Sequence, residues 1–314
     1  MIKEMSAMLS YFKTVDGRIT PAASCEPGCW INCVAPDDGE INSLISDFNI
    51  EPDFFRAAMD EEESSHIDNE DDNTLVIVDI PVVEKDGRNI TYTTMPLGVI
   101  LTEKNVITVS IKDNAVVEEF ANGVVKGVQT NLKTRFVLYL MLRVASRYLQ
   151  YLKQIDKISS FVENELRKSM KNSELLQLLD IEKSLVYFSS SLKGNEITLE
   201  KIMRGRVIRL YDEDQDLLED VLIEVKQAIE MSNIHLNILS GTMDAFASVI
   251  SNNLNIVMKI LASITLLFSI PTVITGLYGM NVGNLPYPNF WFPVALSALG
   301  MGVGYFLLKR KNMF

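Results

Sequence analysis

Near the C-terminus, Thr265, Ser269 and Thr272 interrupt an apolar run at spacings of 4 and 3 residues, with Gly276 a further 4 along. At ~3.6 residues per turn, those spacings put all four on one helix face. Extended toward the N-terminus, the same face takes in Leu261 and Met258, with Asn255 near its edge. No soft Cys or His ligand lies on it. Polar positions in a membrane helix normally face protein or a water-filled cavity. Two readings follow. The stripe lines a pore to which several subunits each contribute one copy, because two spans cannot enclose a pathway alone. Alternatively, the hydroxyls only bond to their own backbone or a neighbouring helix. Pro271 sits within the stripe and is expected to bend or loosen the helix there.

The element that carries the stripe is one of a pair. From Ile260 to Leu308 there is no Asp, Glu, Lys, Arg or His. Two apolar runs of 19 residues, 260–278 and 290–308, flank a turn-rich stretch at 279–289. Each run spans roughly 28 Å at ~1.5 Å per residue, about the hydrocarbon thickness of a bilayer. Lys259 precedes the first run and Lys309-Arg310-Lys311 follows the second. By the positive-inside rule both ends face the cytoplasm and the Asn/Pro/Gly loop faces outward. Tyr287, Phe290 and Trp291 then fall at the outer interface as an aromatic belt. Gly300, Gly302 and Gly304 suit close helix packing. With no strand before them and no phosphate-binding Lys after, they are not a nucleotide loop.

Charge is distributed unevenly. The last 59 residues hold four basic side chains and no acidic one, leaving 25 of the 29 Lys and Arg, and all 41 Asp and Glu, in the first 255. That net of −16 excludes nucleic acid as a partner, which needs Lys and Arg against its phosphates, and suits work with cations. The acids gather in three places: Asp60-Glu61-Glu62-Glu63, Asp68 to Asp72, and Asp212-Glu213-Asp214 onward to Glu219-Asp220. A solvated surface or a helix N-terminus accounts for any one of them alone. Residues 1–11 show no secretory signal. Cys25, Cys29 and Cys33 stand four apart, but Pro27 and Gly28 interrupt any helix between them, so they read as reduced cytosolic cysteines rather than a metal site. His66 and His235 read as structural or exposed, and no nucleophile–base pair appears. Nothing points to an enzyme.

Before the spans, residues 207–270 contain no proline and one glycine, Gly241, with apolar residues at 3–4 spacing: Leu218, Val221, Leu222, Val225, Ile229, Leu239, Met243, Phe246, Ile250 and Leu254. A continuous helix there reaches roughly 95 Å, far more than a bilayer, so most of it projects into the cytoplasm and runs directly into the first span. Residues 131–170 and 173–192 read as two further helices, the first basic through Lys133, Arg135, Arg143 and Arg147 and suited to pack on acidic stretches. Strands are expected at 29–34, 75–83, 90–101 and 106–111, with a hairpin turn at Lys85-Asp86-Gly87-Arg88. Helices are expected at 37–48 and 52–59. The fold class is an α/β N-terminal cytoplasmic domain plus a long-helix stalk and two C-terminal transmembrane helices. The divisions are 1–125 α/β domain, 126–205 helical hairpin, 206–259 stalk, 260–281 first span, 282–289 outer loop, 290–308 second span and 309–314 basic tail.

Tyr278-Gly279-Met280-Asn281 ends the first span. It resembles the Gly-Met-Asn signature of the CorA family of divalent-cation transporters, and the upstream Ser251-Asn252-Asn253-Leu254-Asn255-Ile256-Val257-Met258-Lys259 resembles that family's entry into its pore helix. The resemblance covers the whole chain in architecture and is sharp over about the last hundred residues. It implies a funnel-shaped homopentamer in the cytoplasmic (inner) membrane, with both termini in the cytoplasm. Gly279, Met280 and Asn281 would form the outer mouth. Asn255, Met258, Leu261, Thr265, Ser269, Thr272 and Gly276 would line the pore, with Met258 and Leu261 as its apolar constriction. The family also implies that carboxylates of neighbouring subunits bind Mg2+ and hold the pore shut, and by position Asp60 and Asp220 are similar to those partners. The cargo implied is Mg2+, with Co2+ and Ni2+ as co-substrates. A Zn2+ or Co2+ transporter on the same scaffold, or a membrane-anchored sensor that conducts nothing, remain alternatives. The outer loop departs from many relatives in having no Asp or Glu at 282–289.

Overall fold

A computed structural model of the chain separates into two units, Met1–Ser240 and Gly241–Phe314. The residues described are 8–70, 72–86, 89–169, 171–205, 208, 210–281, 283, 286, 287 and 289–311, and positions 8, 85, 86 and 89 are described in backbone only. The first unit is built on a seven-stranded sheet. Its strands are β1 Met8–Val15, β2 Arg18–Ala22, β3 Trp30–Val34, β4 Ile67–Glu70, β5 Asn73–Asp86, β6 Asn89–Leu101 and β7 Val106–Ser110. Their order is β2-β1-β3-β7-β6-β5-β4, with the β3–β7 pair parallel and the others antiparallel.

Local chemistry explains the elements. Asp16 and Gly17 both have positive φ, 50° and 74°, between the paired Val15 and Arg18. This is the two-residue primed turn that an Asp-Gly dipeptide favours, and its twist matches the strands. The hairpin expected at 85–88 joins β5 to β6, with Asp86 opposite Asn89; Gly87 and Arg88 lie outside the described residues. Helix α1, Asp38–Phe48, opens on a capping box in which Asp37 and Glu40 satisfy each other's backbone N–H. Pro52 opens α2, Pro52–Ala58, where a missing N–H costs nothing. Asn114 caps the short α3, Ala115–Ala121, accepting from the Val117 N–H at 2.9 Å.

Both faces of the sheet are covered. Ile31, Cys33, Leu75, Ile77, Ile107 and Val109 join Leu44, Phe54 and Phe55 of α1 and α2 in one buried cluster. The alternate residues Val76, Val78 and Ile80 are equally buried and lie on the opposite face by the pleat. On that face Trp30 packs among Phe12, Phe120 and Phe136, and its indole N–H donates to Thr108 Oγ1 at 2.8 Å. Phe136 belongs to α4, Lys133–Ser169, which is followed by α5, Asn172–Met203. The basic face of α4 meets acids as expected: Arg135 bonds Asp214 at 2.9 Å, and Arg143 and Arg147 both bond Glu119. Burial pushes the Glu119 carboxyl up, but the two guanidinium groups outweigh it and hold it below the usual range.

Past residue 76 the outer edge of β5 is closed by single contacts rather than by a strand. β4 pairs only with residues 73–76 of β5. Beyond it, the Ile77 N–H donates to the His66 carbonyl at 2.9 Å. Asn195 of α5 then takes the place of a neighbouring strand: its Oδ1 accepts the Asp79 N–H at 3.0 Å and its Nδ2 donates to the Asp79 carbonyl at 2.8 Å. Two residues on, Pro81 has no N–H to leave unpaired. Asn195 Oδ1 also accepts from Ser65 Oγ at 2.8 Å, and a Cβ on Gly194 would stand 3.3 Å from Ser65.

Helix α6 runs from Asp212 to Tyr278 and α7 from Trp291 to Arg310. The structure departs from the sequence-based expectations in several respects. α6 begins at Asp212 rather than 207, with Asp212, Glu213 and Asp214 in its first turn, where a helix N-terminus favours negative charge. α5 continues past 192 to Met203, with Gly194 inside it where Ser65 approaches the helix closely. The strands β1, β2 and β4 and the helix α3 have no counterpart among the expected elements.

Replacing Asn195 by Ala removes one of two partners from each backbone group of Asp79, whose N–H keeps Ser65 Oγ at 3.2 Å and whose carbonyl keeps the Tyr148 hydroxyl at 3.1 Å. We expect a loss of about 1–2 kcal/mol, read as a fall of roughly 2–8 °C in the thermal midpoint of the first unit by circular dichroism. A midpoint within error of the parent would show that β5 has no need of this edge.

Candidate functional site

The hydroxyl stripe lies on the part of α6 that belongs to the second unit. Asn255, Met258, Leu261, Thr265, Ser269, Thr272, Gly276, Gly279, Met280 and Asn281 are all exposed in the single chain. The opposite side of the helix is where α7 packs. A Cβ on Gly300 would lie 2.7 Å from Ile270 Cγ2, and one on Gly304 3.0 Å from Ile270 Cδ1 and 3.2 Å from Leu267. Ser263 of α6 and Ser297 of α7 are buried. At ~100° per residue, the centre of the 263, 267 and 270 face stands about 160° from the centre of the stripe. Gly302 meets nothing within 4 Å, so Gly300 and Gly304, one turn apart, make the close contact without it.

Each hydroxyl on the stripe is anchored to its own helix. Thr265 Oγ1 donates to the Leu261 carbonyl at 2.9 Å, Ser269 Oγ to Leu266 at 2.8 Å and Thr272 Oγ1 to Phe268 at 2.9 Å. A hydroxyl has one proton and two lone pairs. With the proton committed to the backbone, the oxygen presents acceptors outward, suited to the hydrogens of water. Ile264, Thr265, Phe268, Ser269, Thr272 and Val273 line an open groove of about 450 Å³ along this face. The helix continues through Pro271, which has no N–H for the Leu267 carbonyl.

The first span is expected to run to 281, but the helix ends at Tyr278. The Gly279 N–H donates to the Thr275 carbonyl at 2.8 Å, and a Cβ at 279 would stand 3.2 Å from that same oxygen. Glycine therefore suits this position, and Met280 and Asn281 follow in a non-helical turn, exposed. Tyr278, given no role by sequence reasoning, ties the turn down: its hydroxyl donates to the Pro286 carbonyl at 3.0 Å and its ring packs on Phe292, itself stacked on Tyr287. A tyrosine at the last helical position was the available signal. Phe290 and Trp291 are about three-quarters exposed. Val282, Asn284, Leu285 and Pro288 of the outer loop lie outside the described residues, as do 312–314 of the basic tail.

The acidic candidates sit in the first unit. Asp60 follows α2 in a turn, exposed, with its Oδ1 accepting the Glu62 N–H at 3.0 Å. Asp220 is exposed on α6. Among the described residues no three His, Cys, Asp or Glu gather where they could hold a metal ion, so a single chain brings neither carboxylate into a ready site. The third cluster is partly structural, since Asp214 is buried against Arg135. Asp71 of the second lies outside the described residues. A cavity of about 640 Å³ beside the start of α4 is lined by Lys133, Arg135, Tyr211 and Asp212–Asp214, among others; there Arg135 pairs with Asp214 and Glu213, and Lys133 donates to the Thr102 and Glu103 carbonyls. His66 bonds the Ser64 carbonyl and His235 approaches Asp156 at 3.5 Å.

Residues 26–310 match the family described as CorA-like Mg2+ transporter protein. The cobalt/magnesium transport protein CorA of Methanocaldococcus jannaschii is 27% identical over 291 residues, 90% of each chain. That of Thermotoga maritima is 25% identical over 179 residues, 56% of this chain and 51% of its own. The complete structure of the CorA magnesium transporter from M. jannaschii superposes with a TM-score of 0.84 over the whole of both chains at 23% identity, a likeness that concerns the fold.

The glycine contacts separate two neighbouring substitutions. Gly300→Ala forces a methyl against Ile270 and should cost about 1–3 kcal/mol, lowering the thermal midpoint of the detergent-solubilised protein. Gly302→Ala, with open space around it, should stay within about 0.5 kcal/mol of the parent or gain slightly. Equal effects from both would refute the packing described.

Proposed function

The chain belongs to the CorA-like Mg2+ transporter family, and from that premise we propose that it is a passive, Mg2+-gated channel that moves Mg2+, with Co2+ and Ni2+ as further cargo, down the electrochemical gradient. It is a multi-pass membrane protein and not an enzyme. One observation carries the pore reading: the hydroxyl stripe of α6 faces away from α7 and ends at Gly279-Met280-Asn281. Hydrocarbon is a poor neighbour for such a face, and copies of it arranged about an axis would enclose water instead. We take five copies, with both termini in the cytoplasm.

In this reading Asn281 forms the outer ring. Mg2+ dehydrates reluctantly, so a ring of neutral amides that bonds to its water shell selects the ion without stripping it. Thr272, Ser269 and Thr265 then pass hydrated cargo along outward-facing hydroxyl oxygens. Gly276 keeps that wall bare, and Asn255 lies at the inner end. Met258 and Leu261 close the pathway by dewetting when the helices draw together. An inward-negative potential supplies about 2 × 2.3 kcal/mol per 100 mV to a divalent ion, so no nucleotide is needed. With no acid in the outer loop, cation concentration at the mouth by charge is weak.

Gating falls to Asp60 and Asp220. Each is exposed, and among the described residues of its own chain neither joins a group that could hold a metal ion, which suits carboxylates that meet across a subunit boundary. Without a divalent ion they repel; with one they are bridged, and the closed symmetric assembly is favoured.

The decisive experiment loads proteoliposomes with a fluorescent Mg2+ indicator and imposes an inward-negative potential, with Asn281→Ala in parallel. The parent should admit Mg2+ in proportion to the potential, and the variant at least about tenfold more slowly, some 1.4 kcal/mol of barrier. No entry into vesicles holding assembled oligomer would sink the magnesium reading; equal entry would remove Asn281 from the pathway. For gating, Asp60→Asn and Asp220→Asn should each raise the Mg2+ needed to suppress flux several-fold. An unchanged midpoint in both would place the regulatory site elsewhere.

A further inference from the structure

Ahead of β3, a tight turn brings two thiols together. The Cys29 N–H donates to the Glu26 carbonyl at 3.0 Å, closing a four-residue turn with Pro27 second and Gly28 third. Gly28 has φ +81°, the value that the third position of a type II turn requires and that glycine accepts without strain. The Gly28 N–H also donates to the Lys104 carbonyl at 2.9 Å, which fastens this turn to the one between β6 and β7. The reversal leaves Cys25 Sγ 3.2 Å from Cys29 Sγ. Asn105 lies against both, its amide N–H2 reaching Cys29 Sγ at 3.1 Å, Cys25 Sγ at 3.6 Å and the Glu26 carbonyl at 2.8 Å. Both cysteines are reduced, Cys25 exposed and Cys29 buried, while Cys33 is buried in the cluster beneath α1 and α2.

We propose that Cys25 and Cys29 form an exchangeable pair that closes an intrachain disulfide at the expense of a small external disulfide such as oxidised glutathione. The exposed thiol reacts first. Cys25 gives its proton to solvent and its thiolate attacks one sulfur of the oxidant; that S–S bond breaks and one glutathione thiolate leaves. Cys29 then loses its proton and attacks the Cys25 sulfur. The mixed disulfide breaks, and the second glutathione departs with the electron pair. Two cysteine thiols are oxidised, one external disulfide is reduced to two thiols, and the two protons released are the two taken up. The sulfurs need to close only from 3.2 Å to a bond of about 2.05 Å.

The pair is built for slow response. Burial, then the hydrogen bond and charge of Cys29, then the charge of Asp47, push the Cys25 thiol up to about 12. The thiolate is therefore scarce at neutral pH, and the attack should quicken about tenfold per pH unit below that value. Brief oxidant exposure leaves the turn open; sustained exposure clips it.

The test uses the full chain in detergent with excess oxidised glutathione at pH 7 and pH 8.5, read by free-thiol count and intact mass. The parent should lose two of its three thiols and keep no glutathione, faster at the higher pH, with dithiothreitol restoring all three. Cys33→Ser should lose both remaining thiols. Cys29→Ser should hold one glutathione on Cys25, lacking the second thiol that expels it. The proposal fails if the parent retains glutathione as Cys29→Ser does, or if its disulfide maps to Cys33 or to a second chain. It fails equally if the parent's three thiols survive while Cys29→Ser is modified, or if no variant reacts.

Discussion

Lipid hydrocarbon offers no hydrogen-bond partner, so every polar group on an apolar helix has to be answered by the protein or by water. On α6 the requirement is met by halves. The protons of Thr265, Ser269 and Thr272 go to carbonyls of their own helix, while the oxygens are left facing away from α7. The two readings open at the level of sequence, a pore lining and a set of self-bonded hydroxyls, are thus compatible. Backbone bonding fixes each rotamer and occupies the donor, and a surface of acceptors remains. Only water, or a neighbour presenting donors, can satisfy it. Within the second unit α7 sets Gly300 and Gly304 against Ile270 and Leu267, on the other side of α6.

The same helix begins in the first unit, and the boundary between units falls within it. Over its N-terminal half α6 is held by directional contacts. Ser232 donates to the Leu185 carbonyl at 3.1 Å, Ser189 to Asn233 at 3.0 Å and Ser240 to Glu182 at 2.7 Å, while Arg135 of α4 grips its first turn at Asp214. Apolar packing alone tolerates sliding by a fraction of a turn; a series of polar contacts does not, because each displaced donor or acceptor loses its partner. The register of α6 against α5 is therefore specified at several points. A change in that register is thus a discrete event.

Elements whose cause is local were legible in the sequence. The two spans, their flanking charges, the stripe and the four central strands all follow from residues close in the chain. Where a local cue existed without being used, Asp16-Gly17 between β1 and β2 is the plainest case, since that dipeptide between strand-like runs is a hairpin signal. The rest was illegible for a physical reason. The crowding at Gly194 comes from Ser65, and the role of Asn195 depends on Asp79, each more than a hundred residues away along the chain. Nor does spacing alone distinguish Gly302 from Gly300 and Gly304; the partner helix decides which glycines are approached. For Asp60 and Asp220 even the folded chain leaves the matter open, because carboxylates that meet only across a subunit boundary have no counterpart within one copy.

The choice of ion can be argued from what the stripe lacks. Its polar groups are hydroxyl oxygens, the amides of Asn255 and Asn281 and the thioethers of Met258 and Met280, with no thiolate, imidazole or carboxylate between Asn255 and Asn281. The thioethers are the one soft element, and with no thiolate or imidazole beside them a borderline cation gains little there. A small hard cation stripped of water would lose far more than three neutral hydroxyls could return. Such a surface is matched to a cation that keeps its water and is recognised through it, and the acceptors turned outward by the backbone bonding of Thr265, Ser269 and Thr272 are the groups that a hydration shell would meet. The neutrality of the loop at 282–289 has the same consequence. On the proposed pathway, with no carboxylate at the mouth to offset dehydration, entry too would be by an ion with its shell intact, and the potential across the membrane would supply the direction.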